Sequence, residues 1–303
     1  MKVNECYDNS QISTFQMCPM AYYLQYIVGI KKGIVDDSNA AMNFGTYFHK
    51  YAESFYGKTG VKFNEIIKDY EEPADLPQYS ARGLELFCKT FYQKYGEDDK
   101  KFTIKETEKT SIFDLGAYKF IVKKDGAFEH QGNTFGLEHK TTKSISYNYF
   151  DKFFLSSQIS AQVFDTQRIY GSCSGIMINA GEIKLLKRKP TGDYDGVLEC
   201  DGGYIVCKFS RDFINRNPSE ILDWRDNTLY WINRIEECKR EQLWFKSTGL
   251  WGGGICAKCG YKELCKTSTG LNLDESILDV LYEKTDPYQY LKEEVADVAR
   301  KVS

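Results

Sequence analysis

Asp125 stands thirteen residues ahead of the triplet Glu138-His139-Lys140. On an extended chain alternate side chains share a face, so Glu138 and Lys140 project together while His139 points away. With Asp125 on the preceding strand of a hairpin, two carboxylates converge. That donor set suits a hard divalent cation such as Mg²⁺ or Mn²⁺, and the main-chain carbonyl of His139 is placed to add an oxygen. Such a cation polarises a phosphodiester and lowers the pKa of a bound water. Lys140 beside it can orient that water or offset charge in the transition state. The plainer reading of the triplet alone is a solvent-facing E-x-K pair on an edge strand, so its context has to decide.

That context begins with Gly45-Thr46-Tyr47-Phe48-His49, at the start of a helical pattern, and with Gln158 in SSQISAQ. The chain has only three histidines, and imidazole is a good ligand for Mn²⁺-type sites. Gln158 lies on the helix after the triplet, where its amide can hydrogen-bond substrate or a catalytic water. A lone histidine or glutamine is more often a packed or surface residue.

A second constellation is made of thiols. Cys256, Cys259 and Cys265 form a C-x2-C-x5-C pattern in a Gly-rich stretch, and short spacing on irregular backbone lets thiolates converge on one metal centre. No histidine lies beyond residue 139, so a fourth ligand has to come from far away in sequence. Cys18, followed by Pro19, is the first candidate and Cys238 the second. An all-thiolate site fits zinc or an iron–sulfur cluster. The other five of the ten cysteines, Cys6, Cys88, Cys173, Cys200 and Cys207, read as small buried apolar residues.

The elements that must position these groups follow from periodicity. Helices are predicted over 10–28 (capped by Ser10 or Ser13), 39–57, 79–96, 151–168 and 210–243. Strands are predicted for IKETEKTSIF, AYKFIVKK and NTFGLEHKT, and for a hairpin of SGIMIN and EIKLLKRK turning at Ala180-Gly181. A Gly- and Cys-rich loop covers 249–270, and a polar tail ends in a helix near 287–301. Tyr22 and Tyr23 of the first helix suit base stacking, although core packing is the commoner fate of such residues. The expected class is α/β, with helices flanking a central mixed sheet. The 303 residues, 42% hydrophobic and 27% charged, are ordinary for a globular enzyme. Formal net charge is −3, which argues against a generally basic nucleic-acid binder but leaves room for a local basic groove. No apolar run is long enough to span a bilayer. The N-terminus has no secretory core, and the cysteine content suits a reducing compartment, so a cytoplasmic protein is expected.

In order along the chain, SQISTFQMCPMAYYLQY, GTYFH, Asp125 with E-H-K-T-T, Gln158 and C-x2-C-x5-C resemble the PD-(D/E)xK nucleases of the RecB branch. Within it the likeness is to the iron–sulfur members: CRISPR-associated exonucleases, AddB-type nuclease domains and phage relatives. Each motif is weak alone, but five in the right order, over about residues 10–266, are specific. The resemblance implies a restriction-endonuclease-like core in one nuclease domain over 1–270, with a helical tail at 271–303. It implies His49, Asp125, Glu138 and the His139 carbonyl as ligands of Mg²⁺ or Mn²⁺, with Lys140 and Gln158 joining Asp125 and Glu138 in catalysis. It further implies a [4Fe–4S] cluster on Cys18, Cys256, Cys259 and Cys265 that ties the N- and C-terminal segments together. The implied activity is exonucleolytic cutting of single-stranded or free-ended DNA, in repair, recombination, phage DNA metabolism or CRISPR adaptation. A helicase or other DNA-processing protein is the implied partner, in the cytoplasm of a prokaryotic cell or phage-infected host. Two departures stand out: Gln162 replaces the tyrosine of the family's Q-x-x-x-Y motif, and Lys124 replaces the proline before Asp125. The rival reading is a nucleic-acid-binding module of a larger DNA-processing complex, in which catalysis is dispensable.

Overall fold

A computed structural model of the chain describes residues 6–32, 37–247, 254–289 and 292. Its main elements are β1 (Cys6–Tyr7), α1 (Asn9–Met17), β2 (Ile30–Lys32), α2 (Asp37–Gly57), α3 (Ala81–Asp99), β3 (Thr103–Leu115), β4 (Tyr118–His130) and β5 (Asn133–Thr142). There follow α4 (Ser157–Tyr170), β6 (Ile176–Leu186), β7 (Gly196–Cys200), β8 (Gly203–Ile214), α5 (Pro218–Glu241) and β9 (Tyr282–Lys284). The chain divides into two compact units. One takes Met1–Ile34, Thr110–Val122 and Leu222–Ser303; the other takes Val35–Lys109 and Lys123–Ile221.

The second unit carries the strand order β4-β5-β6-β8-β7, in which β5 and β6 run parallel and the other neighbours antiparallel. This is the mixed α/β sheet that the periodicity predicts. Each face is covered because β6 is apolar on both sides. Met177 and Ile183 pack with Phe44 and Phe48 of α2 and Phe87 and Phe91 of α3. Ile176, Ile178 and Ala180 pack with Ile159 and Val163 of α4. A strand buried on both faces reads as a near-continuous apolar run.

That continuity explains one correction. The expected hairpin at Ala180-Gly181 does not form; Ile176–Leu186 is a single strand, paired with β8 from Ile176–Ile214 to Leu186–Tyr204. Gly181 is there for close approach rather than for a turn. A Cβ at that position would lie 2.2 Å from Cζ of Phe87 and 2.6 Å from Cε1 of Phe209.

Other boundaries move for equally local reasons. Residues 203–214, partly assigned to the long helix, are β8, and α5 starts only at Pro218. There Asn217 and Glu220 form a reciprocal capping box: Glu220 N–H donates to Asn217 Oδ1 at 3.0 Å, and Asn217 N–H donates to Glu220 Oε2 at 2.7 Å. Pro218 at the first helical position strengthens the start. The helix expected over 151–168 breaks into Asp151–Phe154 and α4, the latter capped by Ser156.

In the first unit the helix expected over 10–28 is interrupted. Asp8, not Ser10 or Ser13, caps α1, accepting from Gln11 N–H at 2.8 Å. Cys18 is extended, because the proline that follows it disfavours helical backbone. A short helix Pro19–Tyr22 and a π-helical turn Tyr23–Val28 follow, ended by Gly29 at φ 70°. Tyr22 is fully buried and stacks on Trp244 at 5.8 Å, and Tyr23 packs against the same ring. Tyr22 is therefore core rather than a base-stacking platform. β1 pairs parallel with the start of β4, and β2 pairs antiparallel with β9. Short helices Gly254–Ala257 and Lys262–Thr267 occupy the predicted Cys-rich loop, of which 249–253 lies outside the described residues. The helix expected near 287–301 also falls largely outside them.

Candidate active site

The β4–β5 ladder runs from His130–Asn133 to Gly126–Leu137. One residue further, a side chain takes over: Asp125 Oδ2 accepts the N–H of His139 at 2.6 Å. This bond locks the carboxylate of one strand to the backbone of the next. The other oxygen, Oδ1, faces Nδ1 of His49 at 3.3 Å. Alternation on β5 then sends Glu138 and Lys140 to the Asp125 side and His139 to the other. Asp125, Glu138, Lys140, His49 and Gln158 line one open pocket of about 830 Å³.

Glu138 is 2% exposed and its two oxygens are held from α4. Gln158 Nε2 donates to Oε1 at 2.9 Å, and Gln162 Nε2 donates to Oε2 at 2.6 Å while also reaching the Lys123 carbonyl at 3.2 Å. Lys140 pairs with the same carboxylate, and its Nζ lies 3.4 Å from Gln158 Oε1. Residues 158 and 162 are one turn apart, so a single helix face grips one carboxylate. Gln162, a departure from the family motif, therefore contacts a site carboxylate directly. The i, i+4 spacing of Gln158 and Gln162 is the signal in the sequence that points to the second glutamine as well as the first.

Electrostatics separate the groups. Burial raises the Glu138 carboxyl, as does Asp125 nearby, with Lys140 and Gln162 opposing. Asp125 is lowered, since His49 and the His139 N–H outweigh the effect of burial. Burial alone would lower His49, but Asp125 and Glu108 carry it up to about 10. Lys140 is raised because Glu138 outweighs burial. His139 is pushed down to about 3 by burial. Its ring sits among Tyr56, Phe48 and Phe91. Nδ1 lies 3.4 Å from the Asn179 amide nitrogen, and Asn179 Oδ1 in turn accepts from Arg211. Its side chain therefore serves the core, while its backbone faces the site.

A residue outside the motifs of the sequence completes this corner. Glu108, from β3, has Oε1 3.3 Å from His49 Nδ1. One ligand atom each from His49, Glu108 and Asp125 lies within 4.8 Å of the others. The two 3.3 Å separations from His49 Nδ1, to Glu108 and to Asp125, lie within the span of a small hexacoordinate cation, whose ligand atoms at about 2.1 Å from the ion are at most about 4.2 Å apart. The mixed imidazole and carboxylate donors suit Mn²⁺ as well as Mg²⁺.

The four thiols Cys18, Cys256, Cys259 and Cys265 all lie in the first unit. Burial raises Cys259, and the charges of Cys18 and Cys256 raise it further; Cys265 is raised by burial and senses Cys259, Cys18 and Cys256. Ser247 N–H donates to Cys18 Sγ at 3.4 Å. The sulfurs sense one another electrostatically, but among the described residues the side chains gathered closely enough to hold a metal ion are His49, Glu108 and Asp125, with no cysteine among them. Cys238 is raised by burial, and Arg234, Glu237 and Glu241 are the charges that it senses.

The chain matches the family described as the PD-(D/E)XK nuclease superfamily over residues 9–266, and it belongs to that superfamily. A solved structure, that of SSO0001, aligns over 89% of each chain with 10% identity and a TM-score of 0.35. No curated protein matches.

Proposed function

We propose that this protein is a metal-dependent exonuclease that hydrolyses phosphodiester bonds in single-stranded or free-ended DNA. The observation that carries the reading is the gathering of Asp125, Glu138 and Lys140 at the open pocket, with His49 alongside. His49, Asp125 and Glu138 would hold the divalent cation, with the His139 carbonyl beside them. When bound, that ion supplies a low-pKa water and charge stabilisation at the phosphoryl group.

The protein's own groups do the rest. Gln158 bridges Glu138 and Lys140, fixing both heads relative to each other. Lys140 stays protonated and offers its ammonium to charge that builds on the phosphoryl oxygens. Gln162 keeps Glu138 from turning away from the pocket. A strand-opening partner such as a helicase would supply such a nuclease with free strands.

We also propose a [4Fe–4S] cluster on Cys18, Cys256, Cys259 and Cys265. It is supported by the mutual electrostatic reach of these thiols. The C-x2-C-x5-C pattern, with no second close pair of cysteines, favours it over a zinc knuckle. A thiolate cluster needs a reducing compartment, so the cytoplasm is where we place the enzyme.

End-labelled single- and double-stranded DNA, with Mn²⁺, Mg²⁺ or chelator, tests the nuclease. Metal-dependent loss of end label from linear DNA, with closed circles left uncut, is the expected result. Equal cutting of circles would replace exonuclease by endonuclease. No cutting of any nucleic acid with either metal would end the reading.

A further inference from the structure

Glu106 and Glu108 are two apart on β3, so a regular strand would aim both at one face. Their neighbours show that it does not. Glu106 is paired with Lys124 of β4 at 2.6 Å and accepts from Tyr170 at 2.8 Å. Glu108 reaches His49, which also faces Asp125. Lys124 and Asp125 are adjacent on β4 and point to opposite faces. The side chains of β3 must therefore change face between the two glutamates, and the backbone shows where: Glu108 has φ 40°. A non-glycine residue in that left-handed region is strained, and such strain gathers at functional sites. It directs a carboxylate that regular pleating would have sent to the Lys124 side.

We infer that Glu108 is a further ligand of the cation held by His49 and Asp125, and that the left-handed turn in β3 exists to aim it. This rests on the metal-dependent reading of the site. The competing role is simple charge pairing, because Glu108 Oε2 also lies 3.3 Å from Lys123 Nζ. The two roles differ in what they ask of Lys123. A pairing residue and its partner are equivalent in loss, whereas for a ligand Lys123 is a competitor for the same oxygens. The geometry favours the ligand: Lys123 is half exposed, while Glu108 is 15% exposed with His49 and Asp125 around it.

The test is Mn²⁺ binding by calorimetry and by metal-induced rise in melting temperature, on the full chain. Glu108→Gln keeps the shape and the capacity to accept from His49 but removes the charge, and should weaken Mn²⁺ binding at least ~10-fold. Lys123→Met should not weaken it. Glu108→Gly suits the left-handed backbone. It should still fold, with a single cooperative metal-free melting transition, while losing the same affinity, which separates ligation from folding. Wild-type affinity in Glu108→Gln, or equal weakening in Lys123→Met, overturns the assignment, as does a wild-type protein that binds no Mn²⁺. The nuclease reading fails separately. Mn²⁺ binding that depends on Glu108 without any DNA cleavage would sink that reading and keep this one; metal-dependent cleavage with an unaffected Glu108→Gln would do the reverse.

Discussion

At the scale of single residues the site separates groups that hold a cation from a group that acts on charge. Glu138→Ala removes a carboxylate fixed by two glutamines and a lysine, and cleavage should vanish while the fold persists. Lys140→Ala should lower kcat about 10²–10³-fold, yet leave Mn²⁺ affinity within a few-fold because the carboxylates remain. Turnover and calorimetry together check both, and full activity in Glu138→Ala would refute the assignment. His139 carries a different prediction. Its folded pKa, about 3, lies below its ordinary 6.5, so the unfolded chain takes up the proton first as pH falls. Metal-free stability should therefore drop below about pH 6.5, by up to ~1.4 kcal/mol per pH unit until about pH 3. His49 has the opposite sign. Raised to about 10, its contribution is complete below 6.5 and fades only as pH climbs towards 10. Urea unfolding between about pH 4 and 6.5 should show the slope in wild type and a shallower one in His139→Leu.

At the scale of elements, the site depends on how β4, β5 and α4 are seated. Lys124 is buried between Glu106 of β3 and Asp165 of α4, at 2.6 and 2.8 Å, on the face of β4 opposite Asp125. The residue in place of the motif's proline thus ties β4 to its neighbours from behind. β6 sits beside β5 in parallel register, Glu138 against Ile178 and Lys140 against Ala180. Its seating depends on Gly181. Gly181→Ala would place a methyl 2.2 Å from Phe87, and should cost about 1–3 kcal/mol by overpacking. The urea midpoint of the variant measures it; an unchanged midpoint would mean that Phe87 and Phe209 can move aside.

At the scale of the molecule, the first unit is assembled from segments far apart in the chain, including 1–34 and 222–303. A cluster bridging Cys18 and Cys256 would close a very long loop, and a link of that kind chiefly restrains the unfolded chain. Cys18→Ala and Cys256→Ala, purified without oxygen, should be colourless and poorly soluble where wild type is brown. A full iron and sulfide content in Cys18→Ala would exclude that ligand and turn attention to Cys238. Among the described residues no helix is long and apolar enough to cross a membrane.

Features that depend on local order were legible in the residue pattern alone. Glu138 and Lys140 share a face because side chains alternate along a strand, and α3 and β3 to β5 follow from periodicity. The superfamily was legible in motif order because chemistry constrains residue types and spacing. Tertiary structure decided what depends on residues distant in sequence. Gly181 looks like a turn residue until Phe87 and Phe209 arrive beside it, and Asn217–Glu220 cap a helix whose start an apolar pattern placed too early. Gln162 became a partner of Glu138 only once α4 lay against β5. Glu108 is the clearest case: pleating alone would send it with Glu106. Only the left-handed turn, which no residue type there announces, brings it to His49 and Asp125.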